Sequence, residues 1–203
     1  MDADAVEIRV LGCLIEKQRT TPDAYPLSLN SLRLACNQAT NRDPVVEYDE
    51  PTIRAALGRL DRKRWTRLAS GAGSRAAKYR HLLDEALDLG VPELAVLSVL
   101  MLRGPQTTAE LRSRTERLHR FGSAEELVGS IERLAALGHV ELMPRRPGQK
   151  EQRYRQLLGD GDDGGPTGTV AADSFVPADL EARVERLEEE VASLRAAFGS
   201  LER

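Results

Sequence analysis

Histidine and cysteine are the side chains in this sequence best suited to acid–base, covalent or metal chemistry, and their spacing supports none of it. His81, His119 and His139 have no cysteine or carboxylate at metal-ligand spacing. Cys13 and Cys36 lie among apolar residues in segments that read as helix. That pair makes neither a disulfide framework nor a zinc motif and is read as two small buried hydrophobes. Ser70–Ser74 is glycine-rich but lacks the Gly-Lys-Ser/Thr ending of a phosphate loop, and no nucleophile elbow is present. Carboxylate pairs fall on helix faces or in the C-terminal segment, where solvation is the default. No catalytic, cofactor-binding or metal-binding residue is assigned, and the chain is expected not to be an enzyme.

The chemistry that the residues do offer is recognition of phosphates and base edges. Arg59, Arg62, Lys63, Arg64 and Arg67 form a basic cluster, with Arg75 and Lys78 close behind. Arg145, Arg146 and Lys150 form a second one. Arg and Lys contact phosphates, and Arg reads guanine bidentately. Thr52, Arg59 and Arg62 share the face of a helix opposite Ile53, Leu57 and Leu60. Basic residues at a helix end also suit its dipole, so a solvated face is the other reading. Residues 35–45 carry Asn37, Gln38, Asn41 and Arg42. Such side chains cap helices and build turns, or line a surface loop that contacts a ligand or nucleic acid; both readings stay open.

Charge is unevenly distributed. The chain has 203 residues and a net charge of −3. Residues 1–158 carry 25 Lys and Arg against 21 Asp and Glu, whereas residues 159–203 carry 4 against 11. A mildly basic body is compatible with a nucleic-acid partner without demanding one. No apolar run is long enough to span a bilayer, and the acidic start Met1-Asp2-Ala3-Asp4 does not resemble a signal peptide. A cytoplasmic protein with no membrane partner is expected.

The elements that must position the basic clusters are repeated. Lys78-Tyr79-Arg80-His81-Leu82-Leu83 recurs as Arg153-Tyr154-Arg155-Gln156-Leu157-Leu158, 75 residues later. Ile53, Leu57 and Leu60 recur as Leu127, Ile131 and Leu134, and Val10, Leu11 and Leu14 as Val96, Leu97 and Leu100. The offsets differ, so the first copy carries an insertion before its third helix. Each copy reads as an apolar helix, a capped second helix, a third helix and two short strands. The first helices are predicted at about Ala5–Arg19 and Val91–Arg103, the third at about Glu50–Arg64 and from Ser123, with Glu126 closing a capping box. The strands are predicted at Trp65–Ala69 with Lys78–Leu83, and at His139–Pro144 with Gln152–Leu158. Three helices and a hairpin make a winged helix, so the expected fold is mainly α with small β-hairpins (α+β): tandem winged helix-turn-helix domains at 1–88 and 89–158. The two copies are unequal. The third helix of the second exposes Glu125, Glu126, Gly129, Glu132 and Arg133, an acidic face that phosphates would repel. The second copy is therefore expected to hold a backbone through its wing or to bind a protein.

Residues 159–177 are acidic and glycine-rich, as in a flexible linker. Beyond them, Leu180, Val184, Leu187, Val191, Leu194, Phe198 and Leu201 alternate at spacings of four and three. This heptad seam predicts a coiled-coil helix over 178–203, with Arg183 facing Glu188 and Glu190 facing Arg195 in a parallel homodimer. A helix folding back on its own body is the rival reading.

Specific motifs are shared with a known family. They are Leu11-Gly12-Cys13-Leu14-Ile15-Glu16-Lys17-Gln18, Thr20-Thr21-Pro22, Tyr25-Pro26-Leu27-Ser28-Leu29-Asn30, Ala35-Cys36-Asn37-Gln38, Asn41-Arg42-Asp43-Pro44-Val45, Leu102-Arg103-Gly104-Pro105-Gln106-Thr107 and the Pro147-Gly148 wing. Over essentially its whole length the chain resembles the YceH family of bacterial proteins. The resemblance implies a tandem winged-helix fold and no particular activity. One departure is Arg145-Arg146 before Pro147-Gly148, where the family more usually has an acidic residue. The expected function is a dimeric DNA-binding protein, a transcriptional regulator in type, that contacts double-stranded DNA through the first copy's third helix and both wings. The alternative is a scaffold that binds an unidentified protein partner through the same faces.

Overall fold

Helices begin where the sequence supplies an oxygen for their free N–H groups. α1 (Ala5–Thr20) starts at the predicted Ala5, and Asp4 caps it in a reciprocal capping box with Glu7. Ser28 caps α2 (Leu29–Cys36), and Asp49 caps α3 (Glu50–Arg62), with Pro51 in its first turn. Thr107 and Glu110 form a second capping box at α6 (Thr108–Thr115). The box expected at α7 (Ala124–Ala136) is only half made. Ser123 accepts from the Glu126 N–H, but the Glu126 carboxylate turns back to the Gly122 N–H at 2.7 Å.

The structure, a computed structural model, describes residues 3–69, 77–145, 148–149 and 151–159. The tip residues Arg75, Arg146 and Lys150, the linker from residue 160 and the heptad seam from Leu180 to Leu201 lie outside the described residues. Gly159, read as the first linker residue, instead bridges to Ala3, whose N–H donates to the Leu158 carbonyl at 3.3 Å. A side chain at Gly159 would collide with the Ala3 backbone.

The fold is mixed, with helices and small antiparallel sheets. In the first half, β1 (Leu27–Ser28), β2 (Thr66–Leu68) and β3 (Lys78–His81) form a sheet in the order β1-β3-β2. A short helix absent from the sequence reading, α4 (Leu83–Leu87), leads into α5 (Val91–Arg103). In the second half, β4 (Val140–Leu142) pairs with β5 (Tyr154–Gln156), and Gln106 bridges to Tyr154 where β1 pairs with Tyr79 in the first half.

Duplication extends to single hydrogen bonds. Nδ1 of His81 accepts from the Leu83 N–H at 3.3 Å, and Oε1 of Gln156 accepts from the Leu158 N–H at 2.7 Å. The Trp65 and His139 N–H groups each reach a carbonyl at 2.9 Å, Leu60 and Leu134 respectively. The left-handed residue after the third helix is Gly138 (φ 75°) in the second half and Arg64 (φ 60°) in the first.

The halves pack into one unit, Met1–Gly164, through α1 against α5. Both helices are buried on every side in their middle, Glu7–Glu16 and Glu93–Leu102. Val10, Leu11 and Leu14, which recur in the second copy, form only part of the buried surface of α1. The opposite side, with Ile8 and Gly12, is covered as well. Gly12 permits this closeness: a Cβ there would lie 2.9 Å from the Leu102 side chain. Each buried Leu or Ile contributes roughly 1.5–3 kcal/mol. On α1 the buried Glu7, Arg9 and Glu16 are each ion-paired or hydrogen-bonded, as burial requires.

Candidate nucleic-acid interface

The solvent face of α3 carries Arg54, Ala55, Gly58, Asp61 and Arg62, all exposed. Arg54, Gly58 and Arg62 follow one another at spacings of four, so they form one stripe. A Cβ at Gly58 would meet nothing within 4 Å. Small residues thus leave the helix backbone open at the centre of a face edged by two arginines. Among the described residues, Arg54 and Arg62 have no ion-pair partner. Arg64, just past the helix, and Arg67 on β2 extend the same cationic character and are also exposed.

Other residues expected on this face are occupied. Arg59 donates to the Asp4 carboxylate at 2.5 Å and lies 3.5 Å from Glu7. Lys63 reaches Glu7 at 2.9 Å and stands 5.7 Å from the Trp65 ring centroid. Both cations tie α3 to the start of α1 and answer the charge of the nearly buried Glu7 carboxylate. The acidic N-terminus, read in the sequence only as unlike a signal peptide, is their counterion. Thr52 belongs to the cap, since Asp49 accepts from its N–H at 2.9 Å.

The wing residues divide differently. Lys78 is half-buried at the base of the first hairpin, paired in register with Ser28, and its carbonyl accepts from the Ala69 N–H at 2.7 Å. Arg145 is exposed and spans its hairpin, donating from Nε to the Gln149 carbonyl at 2.6 Å.

Arg42, Asn37 and Gln38 are not a surface contact loop. The Arg42 side chain is fully buried, donates to both oxygens of Glu16 at 3.1 and 2.6 Å, and also reaches the carbonyl of Ala35 at 3.0 Å. Asn37 holds Tyr48 from both sides, at 2.8 and 2.9 Å. Gln38 accepts from Arg42 at 3.1 Å and Lys17 at 3.3 Å. Asn41 is the exposed member, left-handed (φ 60°) and bonded to Arg103. Arg9 adds bonds to the carbonyls of Cys36 at 3.1 Å and Pro44 at 2.6 Å. The insertion is a strap held by two buried arginines, and the Asp43 N–H carries it to the Leu102 carbonyl on α5.

Beneath the strap the cysteines meet. Burial would raise the Cys13 thiol, but a hydrogen bond from Cys36 and the Arg42 charge hold it below the ordinary value. Cys36, the donor in that bond and itself buried, is pushed well above. Glu16, which burial would also raise, is kept low by Arg42.

The matching face of α7 shows Glu125, Gly129, Glu132 and Ala136, all exposed, and Arg133 turns to the Asp88 carbonyl at 3.2 Å. No helix among the described residues is long and apolar enough to cross a membrane.

Comparison with known proteins gives a consistent picture. Residues 3–149 match the family described as "Protein of unknown function, DUF480". A UPF0502 protein of Solibacter usitatus (strain Ellin6076) is 47% identical over 206 residues, covering 98% of this chain and 96% of the relative. One from Geotalea uraniireducens (strain Rf4) is 48% identical, covering 97% and 91%, and one from Pseudomonas savastanoi pv. phaseolicola is 44% identical, covering 93% and 90%. The UPF0502 proteins correspond to the YceH-type family, so the resemblance read from the sequence motifs is borne out.

Proposed function

The chain belongs to the DUF480 family, and from that footing we propose that it is a double-stranded-DNA-binding protein built of two winged helices, with α3 as its groove-reading helix. The observation that carries the reading is the α3 face: Ala55 and Gly58 open at its centre, Arg54 and Arg62 at its edges. A helix entering a major groove needs its backbone close to base edges and cations toward the phosphates, and this face offers both. The strand order β1-β3-β2 around the third helix supports the winged-helix assignment, as does its echo at Gln106 and Tyr154. Reading is confined to Arg54 and Arg62, because Arg59 and Lys63 answer acidic residues of the same chain. Dimerisation through residues 178–203 would give the protein two such faces, and sedimentation with and without those residues tests that step.

Fluorescence anisotropy with labelled genomic duplexes tests the central claim. Affinity should fall steeply between about 50 and about 200 mM salt. Binding that is absent, or indifferent to salt, overturns it.

The acidic face of α7 favours a second role for the second half. Glu125 and Glu132 would repel a phosphate backbone and suit a basic protein surface. A stoichiometric protein partner recovered without DNA, and lost on Glu132→Lys, would make the scaffold reading the primary one.

A further inference from the structure

A cleft of about 240 Å³ opens where the two halves meet. Its walls come from both. Lys17 is on α1, Arg103 ends α5, Arg114 is on α6, and Arg117 follows it, over a floor of Val99 and Leu118. Four cations therefore surround one small polar space.

The carboxylates nearest the cleft are already committed, and the exposed Asp43 acts on Arg103 through space. Glu16 is the carboxylate in the wall, and both its oxygens are taken by the buried Arg42. Glu110 approaches Arg114 at 3.5 Å but is bound more closely by Arg153 at 2.9 Å and by its own capping box. Lys17 reaches Glu16 at 3.5 Å, behind that carboxylate's shorter contact with Arg42. Arg103 has Asn41 as its side-chain partner, a neutral one. Arg117 has no hydrogen-bond or ion-pair partner among the described residues. Burial disfavours the charged form of Arg103, and the Arg114 and Arg42 charges disfavour it further. A guanidinium does not lose its proton, so the crowding leaves positive potential that Glu16 and Asp43 offset only in part.

We infer that this cleft binds a compact small-molecule polyanion bearing phosphate or carboxylate groups, held by Arg103, Arg114, Arg117 and Lys17. Guanidinium forks match both oxyanions bidentately. The volume lies below the roughly 300–1,000 Å³ of drug-sized ligand pockets, which selects a molecule of few heavy atoms. Nothing in the inference depends on DNA binding. The cleft draws on α1, α5 and α6, and α3 contributes nothing to it.

Isothermal titration calorimetry on the full chain with pyrophosphate and with citrate tests it, the two probes separating a phosphate from a carboxylate preference. One of them should bind at one site per chain, with a Kd tighter than about 1 mM. Arg114→Gln and Arg117→Gln should each weaken binding about tenfold or more, the effect of one charge-assisted hydrogen bond. Arg117 is exposed, so its variant should fold whether or not the other does. Arg62→Gln, on the proposed DNA face, should leave anion binding unchanged. Three results would overturn the inference. Neither probe saturates by about 10 mM; or Arg62→Gln weakens binding as much as Arg117→Gln, which marks a diffuse charge effect; or a short duplex displaces the probe and itself binds only when Arg117 is intact, which assigns the cleft to a nucleic-acid backbone.

Discussion

The Ser98 hydroxyl donates to the Gly12 carbonyl at 3.1 Å, and the two residues occupy matching positions in the repeat, 86 residues apart. The duplicated helices therefore cross at the same point of their own sequences. A methyl group at Gly12 would press on Leu102 at 2.9 Å and on Met101 at 3.0 Å. In an ordinary helix Gly→Ala gains about 1 kcal/mol, whereas overpacking a tight core costs about 1–3 kcal/mol. Gly12→Ala is expected to lower stability by up to about 2 kcal/mol in urea melts. A gain would show that the crossing is looser than described.

Arg42 and Glu16 form a buried pair that joins the strap to α1. Removing one member leaves the other charged and without its partner inside the protein. Arg42→Met and Glu16→Gln should each destabilise by about 3–5 kcal/mol. A loss below about 1 kcal/mol for either would mean that water reaches the pair.

Neighbouring arginines on α3 should behave oppositely. Arg62→Ala should weaken duplex binding and reduce the salt slope by about 1, with little change in stability. Arg59→Ala breaks a half-exposed ion pair with Asp4 and a longer contact with the buried Glu7, which keeps Lys63, so it should cost about 1 kcal/mol of stability and leave duplex affinity within about twofold. If Arg59→Ala is the variant that abolishes binding, its pairing gives way to DNA and the assignment of roles is wrong.

Arg64 holds a left-handed backbone (φ 60°) where its counterpart is Gly138. That conformation costs a side-chain-bearing residue about 1–2 kcal/mol, partly offset by the greater freedom of glycine when unfolded. Arg64→Gly should raise stability by about 0.5–1 kcal/mol and weaken duplex binding. Loss of neither binding nor strain would leave the choice of arginine there without a structural reason.

His81 is buried, donates from Nε2 to Gln18 at 2.7 Å, and burial lowers its pKa against the opposing pull of Asp84. Below about pH 6.5 the unfolded chain takes up a proton that the folded imidazole refuses, so stability falls until the pH passes the depressed folded value. His81→Gln copies the side chain at position 156 and should shrink the Tm difference between pH 7.5 and pH 5.5. His139, also lowered by burial, should leave a residue of that difference. An unchanged difference would place the sensitivity elsewhere.

What was legible in the sequence was whatever repeats or alternates locally. The tyrosine strands and the Ile53–Leu57–Leu60 spacing located the hairpins and third helices, and α5 runs over the predicted residues. What was not legible depends on charges meeting across the chain. Glu7, Arg9 and Glu16 are charged residues inside an otherwise apolar helix, and their partners lie at Lys63, Cys36 and Arg42. The same long reach hid the interior role of the strap and the neutralised state of Arg59. Arg54 stands four residues before Gly58 and eight before Arg62, outside the denser basic cluster at the helix end, so residue density alone does not mark it.

The shared core of α1 and α5 has a mechanical consequence. α3 packs on α1 and α7 packs on α5, so the α1–α5 core is what positions the two third helices relative to each other. The body is in this sense a caliper: under the proposed function, a partner touching both helices would meet a gap set by the core rather than by a linker.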